Sequence, residues 1–278
     1  MAMESSTLPP DYHTHTSLCK HAEGVPADYR DVAEAKGLPH LASTDHCPTD
    51  DEFGFDHRMA LDQFDQYREW VAAAQNSTGT PLLFGVEADY YRGCEKFLAP
   101  FLESLPLDLV LGSVHFLDYW STDRATRGLG GGAAPELIWG RYFELIGELA
   151  DTGLYDIVAH IDLPKRFGNP LPQARLRELA LPALDRIAAA GMCLEINTSG
   201  ILHPQREFYP SLSLLTWACE RGIGLTFGSD SHHPSRVGDG FEAAVELARA
   251  AGYAESAHFK QRKKSMVTLP KLSAVQRS

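Results

Sequence analysis

Seven short apolar runs recur along the chain, and each of them ends in a polar residue. They lie near residues 11–15, 40–46, 81–89, 108–116, 155–161, 192–198 and 223–230. Between most of them, apolar positions recur at helical spacing, in the stretches 27–36, 57–76, 95–104, 134–151, 173–190, 211–221 and 241–251. Runs of this kind predict buried strands, and their alternation with helices predicts a parallel sheet.

The stretch 57–76 shows the helical pattern most clearly. Met59, Phe64, Tyr67, Trp70 and Val71 recur at roughly three- to four-residue spacing. On a helix these side chains form one apolar stripe, so we predict a helix over the whole of this stretch.

The polar strand ends favour a closed barrel over an open sheet. In a barrel, the carboxyl ends of all strands surround one mouth, so residues from distant parts of the chain can meet there. An open sheet would spread seven strand ends along an edge of about 30 Å, given a strand spacing of about 4.8 Å. We therefore predict an α/β barrel in a single domain over residues 1–278, a length that suits one barrel of roughly 250 residues.

Most of these strand ends carry side chains that can bind metal. His13 and His15 are two positions apart, so both point to the same side of an extended strand, and Asp230 and His232 repeat that spacing. The candidate ligands are His13, His15, His46, Glu87, His115, His160, Asp230 and His232, with His21 in the loop after the first run. One ion needs three or four protein ligands, so this set predicts several ions and hence a metallohydrolase.

Residues beside the candidate ligands have less specific roles. Asp45 points away from the side of His46, and it either orients another ligand or caps a helix. His40 begins a strand, and His57 and His258 fall in predicted surface segments. His203 and His233 lie near the predicted mouth, where they could contact a substrate.

The composition narrows the functional classes. The formal net charge of −12 argues against a broad basic surface for nucleic acid, although bound ions would still attract a small anionic substrate. The start MAMESSTLPP lacks the pattern of a secretory signal, and no apolar run approaches the 18 residues of a membrane span. The five scattered cysteines form no CxxC pair and predict reduced thiols in a cytoplasmic protein.

Several stretches of the sequence resemble the four motifs of the PHP (polymerase and histidinol phosphatase) family, the third of which corresponds to GSVHF together with AHID. They are HTHT at 13–16, STDH at 43–46, GSVHF at 112–116, AHID at 159–162 and GSDSH at 228–232, and Glu87 in FGVEADY falls where the family has a bridging glutamate. The resemblance spans nearly the whole chain. It implies a distorted seven-stranded, TIM-like α/β barrel with a trinuclear metal site at the carboxyl ends of the strands.

The same resemblance distributes the ligands over three divalent ions. It implies one ion held by His13, His15, Glu87 and Asp230, a second by Glu87, His115 and His160, and a third by His21, His46 and His232. Three divalent ions and only two carboxylates would give an acidic protein a cationic pocket. Ligands rich in histidine suit zinc, iron or manganese, and the sequence does not choose among them.

The strings CKHAEG, GSVHFL and HIDLPKRFG look most like the monofunctional histidinol-phosphate phosphatases of that family. They imply hydrolysis of L-histidinol phosphate to L-histidinol and phosphate, a step of histidine biosynthesis, by attack of a metal-bound hydroxide. The alternatives are a PHP phosphoesterase or exonuclease acting on nucleotides or nucleic-acid ends, a metal-binding protein without catalysis, and an amidohydrolase-type barrel. The last typically uses a carboxylated lysine, and none of these strand ends offers a lysine.

The expected substrate is a small phosphomonoester, and neither nucleic acid nor membrane is an expected partner. Arg166 is the first candidate to hold the phosphate, because a guanidinium can bind it through two hydrogen bonds, and Lys165 is the second. Glu23 could meet the cationic amine of the substrate or act on a proton near the leaving group. Asn197, Ser199 and His233 are further candidates for substrate contacts.

Two irregular segments look like insertions above the mouth of the barrel, where they could cover it; the alternative for 118–133 is a disordered surface loop. Residues 118–133 contain three consecutive glycines and lack periodicity, and residues 200–211 contain two prolines. Loops of this type commonly close over active sites. Phe116, Tyr119 and Trp120 are candidates for stacking on an imidazole ring.

Overall fold

The central element is a curled sheet of parallel strands, as seen in a computed structural model. The structure describes residues 8–51, 53–117, 120–121, 134–168 and 170–271, with the backbone alone at 120–121. Within these ranges the sheet has six strands, each parallel to its neighbours, in the order β1-β2-β3-β6-β7-β8. The strands are β1 (Leu41–Ser43), β2 (Leu82–Asp89), β3 (Leu109–Ser113), β6 (Ile157–Val158), β7 (Cys193–Asn197) and β8 (Gly224–Gly228).

The first apolar run, predicted as a strand, forms isolated bridges instead. Residues 11–15 lie between the two edge strands of the sheet, with one bridge from Asp11 to Leu41 and another from Thr14 to Ser231. The backbone N–H of His13 donates to the Asp11 carboxylate, and that of Thr14 donates to the Thr44 hydroxyl. Because side chains accept these two amides, the segment does not form a continuous ladder with either neighbour.

The helices follow the predicted order closely. They are α1 (Pro26–Ala35), α2 (Phe64–Gln75), α3 (Glu95–Glu103), α4 (Pro135–Asp151), α5 (Gln173–Ala189), α6 (Leu212–Cys219) and α7 (Phe241–Ala250). The main correction concerns α2, which begins at Phe64 and not near residue 57. The Gln63 side chain accepts the amide of Ala60, which starts a short 3₁₀ turn over Leu61–Gln63, while Met59 is buried from the preceding loop.

A C-terminal hairpin, absent from the sequence-based prediction, covers the amino ends of the strands. It consists of the antiparallel pair β9 (Glu255–Lys260) and β10 (Lys263–Thr268). Ala257 and Phe259 pack against the first residues of β3 and β7, Leu109 and Cys193, and the Phe259 amide donates to the hydroxyl of Tyr12. The hairpin therefore seals the end of the sheet opposite the polar strand ends.

The two segments that could cover the mouth are described in part. A two-residue strand, β4 (Phe116–Leu117), pairs antiparallel with β5 (Trp120–Ser121), and the rest of 118–133 lies outside the described residues. Residues 200–211 begin inside a 3₁₀ turn, Thr198–Leu202, and several of their side chains line a cavity at the carboxyl ends of the strands. Of the helices in the described ranges, none has the length and apolarity to span a membrane.

Candidate metal centre

The nine predicted ligands come together at the carboxyl ends of the strands. His46, His115, His160 and Asp230 follow four different strands, Glu87 lies near the end of a fifth, and residues 11–15 lie between β1 and β8. Seven of the nine line a cavity of about 590 Å³, namely His21, His46, Glu87, His115, His160, Asp230 and His232. His13 and His15 are fully buried behind them.

The carboxylate of Glu87 lies at the centre of this cluster and is almost fully buried. Its Oε1 lies 3.1 Å from Nε2 of His160 and 3.7 Å from Nε2 of His115. Its Oε2 lies 2.9 Å from Nδ1 of His46, 3.4 Å from Nε2 of His13 and 3.7 Å from Nε2 of His15. One carboxylate thus faces two groups of imidazoles with its two oxygens, as a bridge between metal ions would.

Four side chains have the spacing expected around one tetrahedral ion. Oδ1 of Asp230 lies 3.6 Å from Nε2 of His13 and 3.1 Å from Nε2 of His15, and Oε2 of Glu87 lies at similar distances from both rings. Ligand atoms about 2.1 Å from a tetrahedral ion are about 3.4 Å apart. Among the described residues, Nε2 of His13 and Oε2 of Glu87 are buried without a hydrogen-bond partner, so these atoms fit a metal ion.

A second group of imidazoles surrounds the outer part of the cavity. The ligand atoms of His21, His46 and His232 all lie within 4.8 Å of one another. Nδ1 of His21 is 2.8 Å from the carbonyl of Cys19, and Nδ1 of His232 is 3.0 Å from the carbonyl of Asp230. These contacts direct the other ring nitrogen of each residue, Nε2, towards the group, and Nε2 of His232 is buried without a partner in the described part of the chain.

His46 stands between the two groups. Its ring also forms a possible metal-binding set with Glu87 and His115, and its centroid lies 5.5 Å from that of His115 and 5.4 Å from that of His21. The geometry therefore brings together all three residues of the predicted third site, and it also places one of them against the bridging carboxylate.

The ionisation of three of these groups, Glu87, Asp230 and His46, suits metal binding. Burial opposes ionisation of Glu87, but the neighbouring His46, His13 and His115 hold the pKa of its carboxyl well below the usual range. Asp230 is likewise buried, and His13 and His15 keep its pKa low. Burial lowers the pKa of His46 to about 4, so at neutral pH this ring carries a free lone pair.

Two carboxylates behind the ligands hydrogen-bond to imidazoles, and a third lies near another ring. Glu195 lies 2.7 Å from Nδ1 of His13, Asp89 lies 2.8 Å from Nδ1 of His115, and Asp45 lies 3.5 Å from Nδ1 of His15. Carboxylates that hydrogen-bond to a ligating ring fix the ring tautomer and raise ligand basicity. The Asp45 carboxylate accepts hydrogen bonds from Thr16 and from the amide of His46, and Nδ1 of His15 has no hydrogen-bond partner among the described residues. The predicted role of Asp45 in orienting a ligand therefore stays a prediction.

Sequence reasoning missed Glu195 and Asp89, although a usable signal was present. Asp89 is two residues after Glu87 on β2, and Glu195 is two residues before Asn197 on β7. In a strand, residues two apart share a side, so both carboxylates point towards the same interior as the ligands. Arg58, also missed, donates to Asp89 across 2.6 Å and lines the cavity.

The predicted substrate contacts divide into residues that face the cavity and residues that do not. Arg166, Ser199 and His233 line it, and Arg166 is exposed to solvent. The Ser199 hydroxyl donates to the Asp230 carboxylate and to Asn197 Oδ1. Asn197 is fully buried and its amide nitrogen lies 3.2 Å from Asp230, so both residues support a predicted metal ligand in this structure.

Two further predicted substrate residues, like Asn197, do not line the cavity. The ammonium of Lys165 donates to the Phe208 carbonyl and pairs with Asp162, because the short turn Leu163–Phe167 directs it towards that loop. The carboxylate of Glu23 is exposed at the rim, 3.6 Å from Nε2 of His233. The Lys165 ammonium is thus directed away from the cavity, and the Glu23 carboxylate lies beside its mouth.

The cavity wall also contains residues that sequence reasoning assigned elsewhere or only tentatively. His57, expected in a surface segment, lines the cavity with its ring centroid 5.9 Å from that of His21. Phe116 lines it as well and packs against Phe53 at a centroid distance of 4.5 Å. The side chains of Tyr119 and Trp120 lie outside the described residues.

Comparison with known proteins places this geometry in a family context. A family model described as PHP domain matches residues 11–199. The chain is 38% identical over 251 residues to a protein of Deinococcus radiodurans named "Probable histidinol-phosphatase", with 87% of this chain and 93% of that protein covered. It is 27% identical to the histidinol-phosphatase of Bacillus subtilis, with 85% and 98% covered.

A solved structure has the same fold. It is the crystal structure of histidinol phosphate phosphatase from Lactococcus lactis complexed with zinc, L-histidinol and phosphate, with a TM-score of 0.79 and 24% sequence identity. The match covers 92% of this chain and 98% of that one. At this level of identity the likeness concerns the fold.

Proposed function

The chain belongs to the PHP domain family, and from that premise we propose that it is a metal-dependent phosphatase that hydrolyses L-histidinol phosphate to L-histidinol and phosphate. Enzymes of this class are hydrolases of phosphoric monoesters. The relatives named above as histidinol-phosphatases align over most of this chain and most of their own length. The proposal therefore rests on nearly whole proteins and not on a shared fragment.

The observation that carries the proposal is the position of Glu87. Its two carboxylate oxygens face different sets of imidazole nitrogens at 2.9–3.7 Å, in a cavity open to solvent. A carboxylate that joins two sets of ligands is the arrangement that a centre with several adjacent metal ions requires. Phosphoryl transfer gains most of its acceleration from such concentrated positive charge.

We further propose three divalent ions in this cavity. His13, His15, Glu87 and Asp230 would hold the first, Glu87, His115 and His160 the second, and His21, His46 and His232 the third. The distances above support this division, and zinc in the crystal structure of the Lactococcus lactis enzyme supports the choice of zinc as the first metal to test. Iron and manganese suit the same ligands.

The same proposal includes a closed, distorted seven-stranded barrel as a single domain over residues 1–278. Residues 11–15 would serve as the seventh member, because their backbone bonds both edges of the six-stranded sheet: Ala42 donates to Asp11, and Tyr12 donates to Phe227. The larger of the two hydrophobic clusters among the described residues extends from Leu18 to Leu269, which supports a single folding unit. The five free cysteines support a cytoplasmic location.

When bound, such ions act as Lewis acids that activate water and neutralise the phosphoryl oxygens. The side chains of the protein would then bind and orient the substrate. Arg166 stands at the cavity wall without a carboxylate partner in the described part of the chain, so its guanidinium is available to a phosphate. Arg236 and His233 add further nitrogen groups along the same wall.

The amino group of histidinol needs a partner of opposite charge. Glu23 lies at the rim of the cavity beside His233, and its exposed carboxylate is within reach of a molecule entering there. We propose that it meets the substrate amine or acts on a proton near the leaving group. Asn197 and Ser199 would act indirectly, by holding the Asp230 carboxylate.

A substrate screen tests the proposed function. The purified protein, loaded with zinc or manganese, is expected to hydrolyse L-histidinol phosphate with kcat/KM of at least about 10⁴ M⁻¹s⁻¹. Other phosphomonoesters and single-stranded DNA serve as competing substrates. Removal of metal with a chelator should abolish turnover, and added metal should restore it.

The variant Asp230→Asn is expected to lose at least about 100-fold in kcat/KM, because one ligand loses its charge. Asp185→Asn is the matched control, since that carboxylate is exposed and pairs with Arg221 far from the cavity. Cleavage of single-stranded DNA without turnover of histidinol phosphate would instead support the alternative phosphoesterase function.

A further inference from the structure

Glu195 is a buried carboxylate that no sequence motif assigns to a role. It lies on β7 with no exposed surface, and no lysine or arginine pairs with it in the described part of the chain. Oε1 accepts a hydrogen bond from Nδ1 of His13 at 2.7 Å, and Oε2 accepts from the backbone N–H of His160 at 3.1 Å and from the amide of Asn197 at 3.0 Å. A buried anion of this kind needs compensating positive charge nearby.

We propose that Glu195 is a positioning residue that fixes three ligands of the metal centre at once. The inference rests on the metal-dependent function proposed above and deepens it. Through its contacts the carboxylate reaches His13 directly, His160 through the backbone, and Asp230 through Asn197. These ligands come from three separate parts of the chain, so a single side chain ties their relative positions together.

The contact with His13 sets which nitrogen of that ring is available. Because Glu195 accepts from Nδ1, the proton of the neutral ring sits on Nδ1. The lone pair of Nε2 then points at Oε2 of Glu87 and Oδ1 of Asp230, 3.4 and 3.6 Å away. A carboxylate bonded to the far side of a ligating imidazole also makes the ring a better donor to the metal.

The contact with His160 supports an unusual backbone conformation. His160 has a φ of +25° and Asp230 has a φ of +51°, a region that residues other than glycine rarely adopt. The amide of His160 donates to Glu195, while Asn197 uses one amide nitrogen to join Glu195 with Oδ2 of Asp230. The same carboxylate therefore stabilises the turn that presents each of these ligands.

The neighbouring strand leaves room for this arrangement. Gly228 on β8 lies beside the pair, and a Cβ atom there would be 1.9 Å from Oε1 of Glu195 and 2.6 Å from Cβ of His13. No side chain fits at that distance, so the first residue of the GSDSH motif must be glycine for the contact to exist. The hydrogen bond between Glu195 on β7 and His13 therefore depends on a glycine in the neighbouring strand β8.

Each hydrogen bond of Glu195 is donated by its partner. A variant that replaces one carboxylate oxygen with an NH₂ group therefore tests whether the carboxylate is needed. In Glu195→Gln, whichever way the amide turns, its NH₂ group faces at least one of the donors of His13, His160 or Asn197. The substitution keeps the size of the side chain but breaks at least one of these bonds. We expect the zinc affinity of the centre to fall about 10- to 100-fold, the usual effect of removing such a carboxylate.

The experiment measures zinc content and zinc affinity by competition with a chromogenic chelator, together with ¹⁵N NMR of the histidine rings. In the wild-type protein the zinc-loaded state should show several rings protonated at Nδ1, among them His13 and His115, whose Nδ1 atoms face carboxylates. Glu195→Gln should shift or lose the signal of His13 and leave that of His115 in place. Asp156→Asn is the matched control, a largely buried carboxylate bonded to Arg262 at the other end of the sheet. It should keep wild-type zinc affinity.

If Glu195→Gln does not fold, Asn197→Ala provides the second variant, because it removes the bridge to Asp230 while the His13 contact remains. It should lose about 10-fold in zinc affinity. The proposal is overturned if Glu195→Gln, or this second variant in its place, binds zinc within twofold of wild type, or if Asp156→Asn weakens zinc equally. A wild-type protein that binds zinc without phosphatase activity would refute the proposed function and leave this comparison valid.

Discussion

Arg166 and Lys165 are adjacent cations with different surroundings. Lys165 is tied to the Phe208 carbonyl and to Asp162, and its ammonium lies 5.1 Å from the centre of the Tyr209 ring. Arg166 is exposed and lines the cavity. The sequence offered both as phosphate ligands, and the direction of each side chain in the short turn separates them.

We therefore expect Arg166→Ala to lower kcat/KM for a phosphomonoester by about 10- to 100-fold, the value of one or two charged hydrogen bonds to phosphate. Arg166→Lys should recover part of the loss, since an ammonium cannot form the bidentate contact. Steady-state kinetics measure the effect.

Lys165→Ala is the comparison variant for this prediction. It should mainly lower the melting temperature, because it removes the hydrogen bond from the turn to the Phe208 carbonyl. If Arg166→Ala keeps wild-type kinetics and Lys165→Ala does not, the assignment of the two cations is reversed.

At the scale of the elements, close packing explains why two of the motifs begin with glycine. Gly228 leaves room for Glu195, and Gly112 on β3 lies against the ring of Tyr155, where a Cβ atom would be 2.8 Å from two ring carbons. Gly140, inside α4, differs from both, since the nearest atom to a Cβ there is 3.9 Å away. Glycine is required at the strand positions and is replaceable in the helix.

Alanine at Gly112 and alanine at Gly140 should change the free energy of unfolding in opposite directions. Gly112→Ala forces a methyl group into a packed aromatic ring and should lower the free energy of unfolding by about 1–3 kcal/mol. Gly140→Ala should raise it by about 0.5–1 kcal/mol, because alanine is the better helix former. Denaturant titrations of the two variants under the same buffer test both signs, and a stabilised Gly112→Ala would contradict the packing described for β3.

At the scale of the whole molecule, the two ends of the sheet differ in function. The carboxyl ends gather the polar residues of the site, and the amino ends are sealed by the C-terminal hairpin. Between hairpin and sheet lies a small polar contact, in which the hydroxyl of Tyr12 accepts from the Phe259 amide and lies 2.7 Å from Nε2 of His40. The Tyr12 hydroxyl can therefore donate its own proton to Nε2 of His40, which can accept it only when the ring is neutral.

This contact predicts a pH-dependent loss of stability. Burial, and then the nearby His258, lower the pKa of His40 to about 4, below the value of about 6.5 in the unfolded chain. The unfolded state then binds a proton more readily, so the stabilisation is complete above pH 6.5 and declines as the pH falls towards 4. Tyr12 and His258 are the titratable groups that face this ring.

We expect His40 to contribute a decrease of at most about 2 kcal/mol in the free energy of unfolding between pH 7 and pH 5. His40→Gln keeps an acceptor for Tyr12 but does not titrate, so the metal-free variant should be less sensitive to pH than the metal-free wild type. Denaturant titrations at several pH values measure the difference. Equal pH dependence in the two proteins would show that His40 does not lose its proton on folding.

The sequence by itself determined the family, the order of helices and the positions of the candidate ligands. This was possible because a parallel α/β fold repeats one local pattern, and because His, Asp and Glu at strand ends are visible without knowledge of distances. Predicted helices and observed ones differ mainly at α2, where a side-chain bond from Gln63 delays the start. The resemblance to PHP proteins is confirmed by the family model that matches residues 11–199.

The tertiary structure decided what depends on contacts between distant residues. It separated Arg166 from Lys165, placed His57 in the cavity wall, and showed the first run as bridges between β1 and β8 because side chains accept two of its amides. It also revealed Glu195 behind His13, 182 positions away along the chain. Local patterns identify which residues can bind a metal, whereas the partners that orient them are set only when the strands pack side by side.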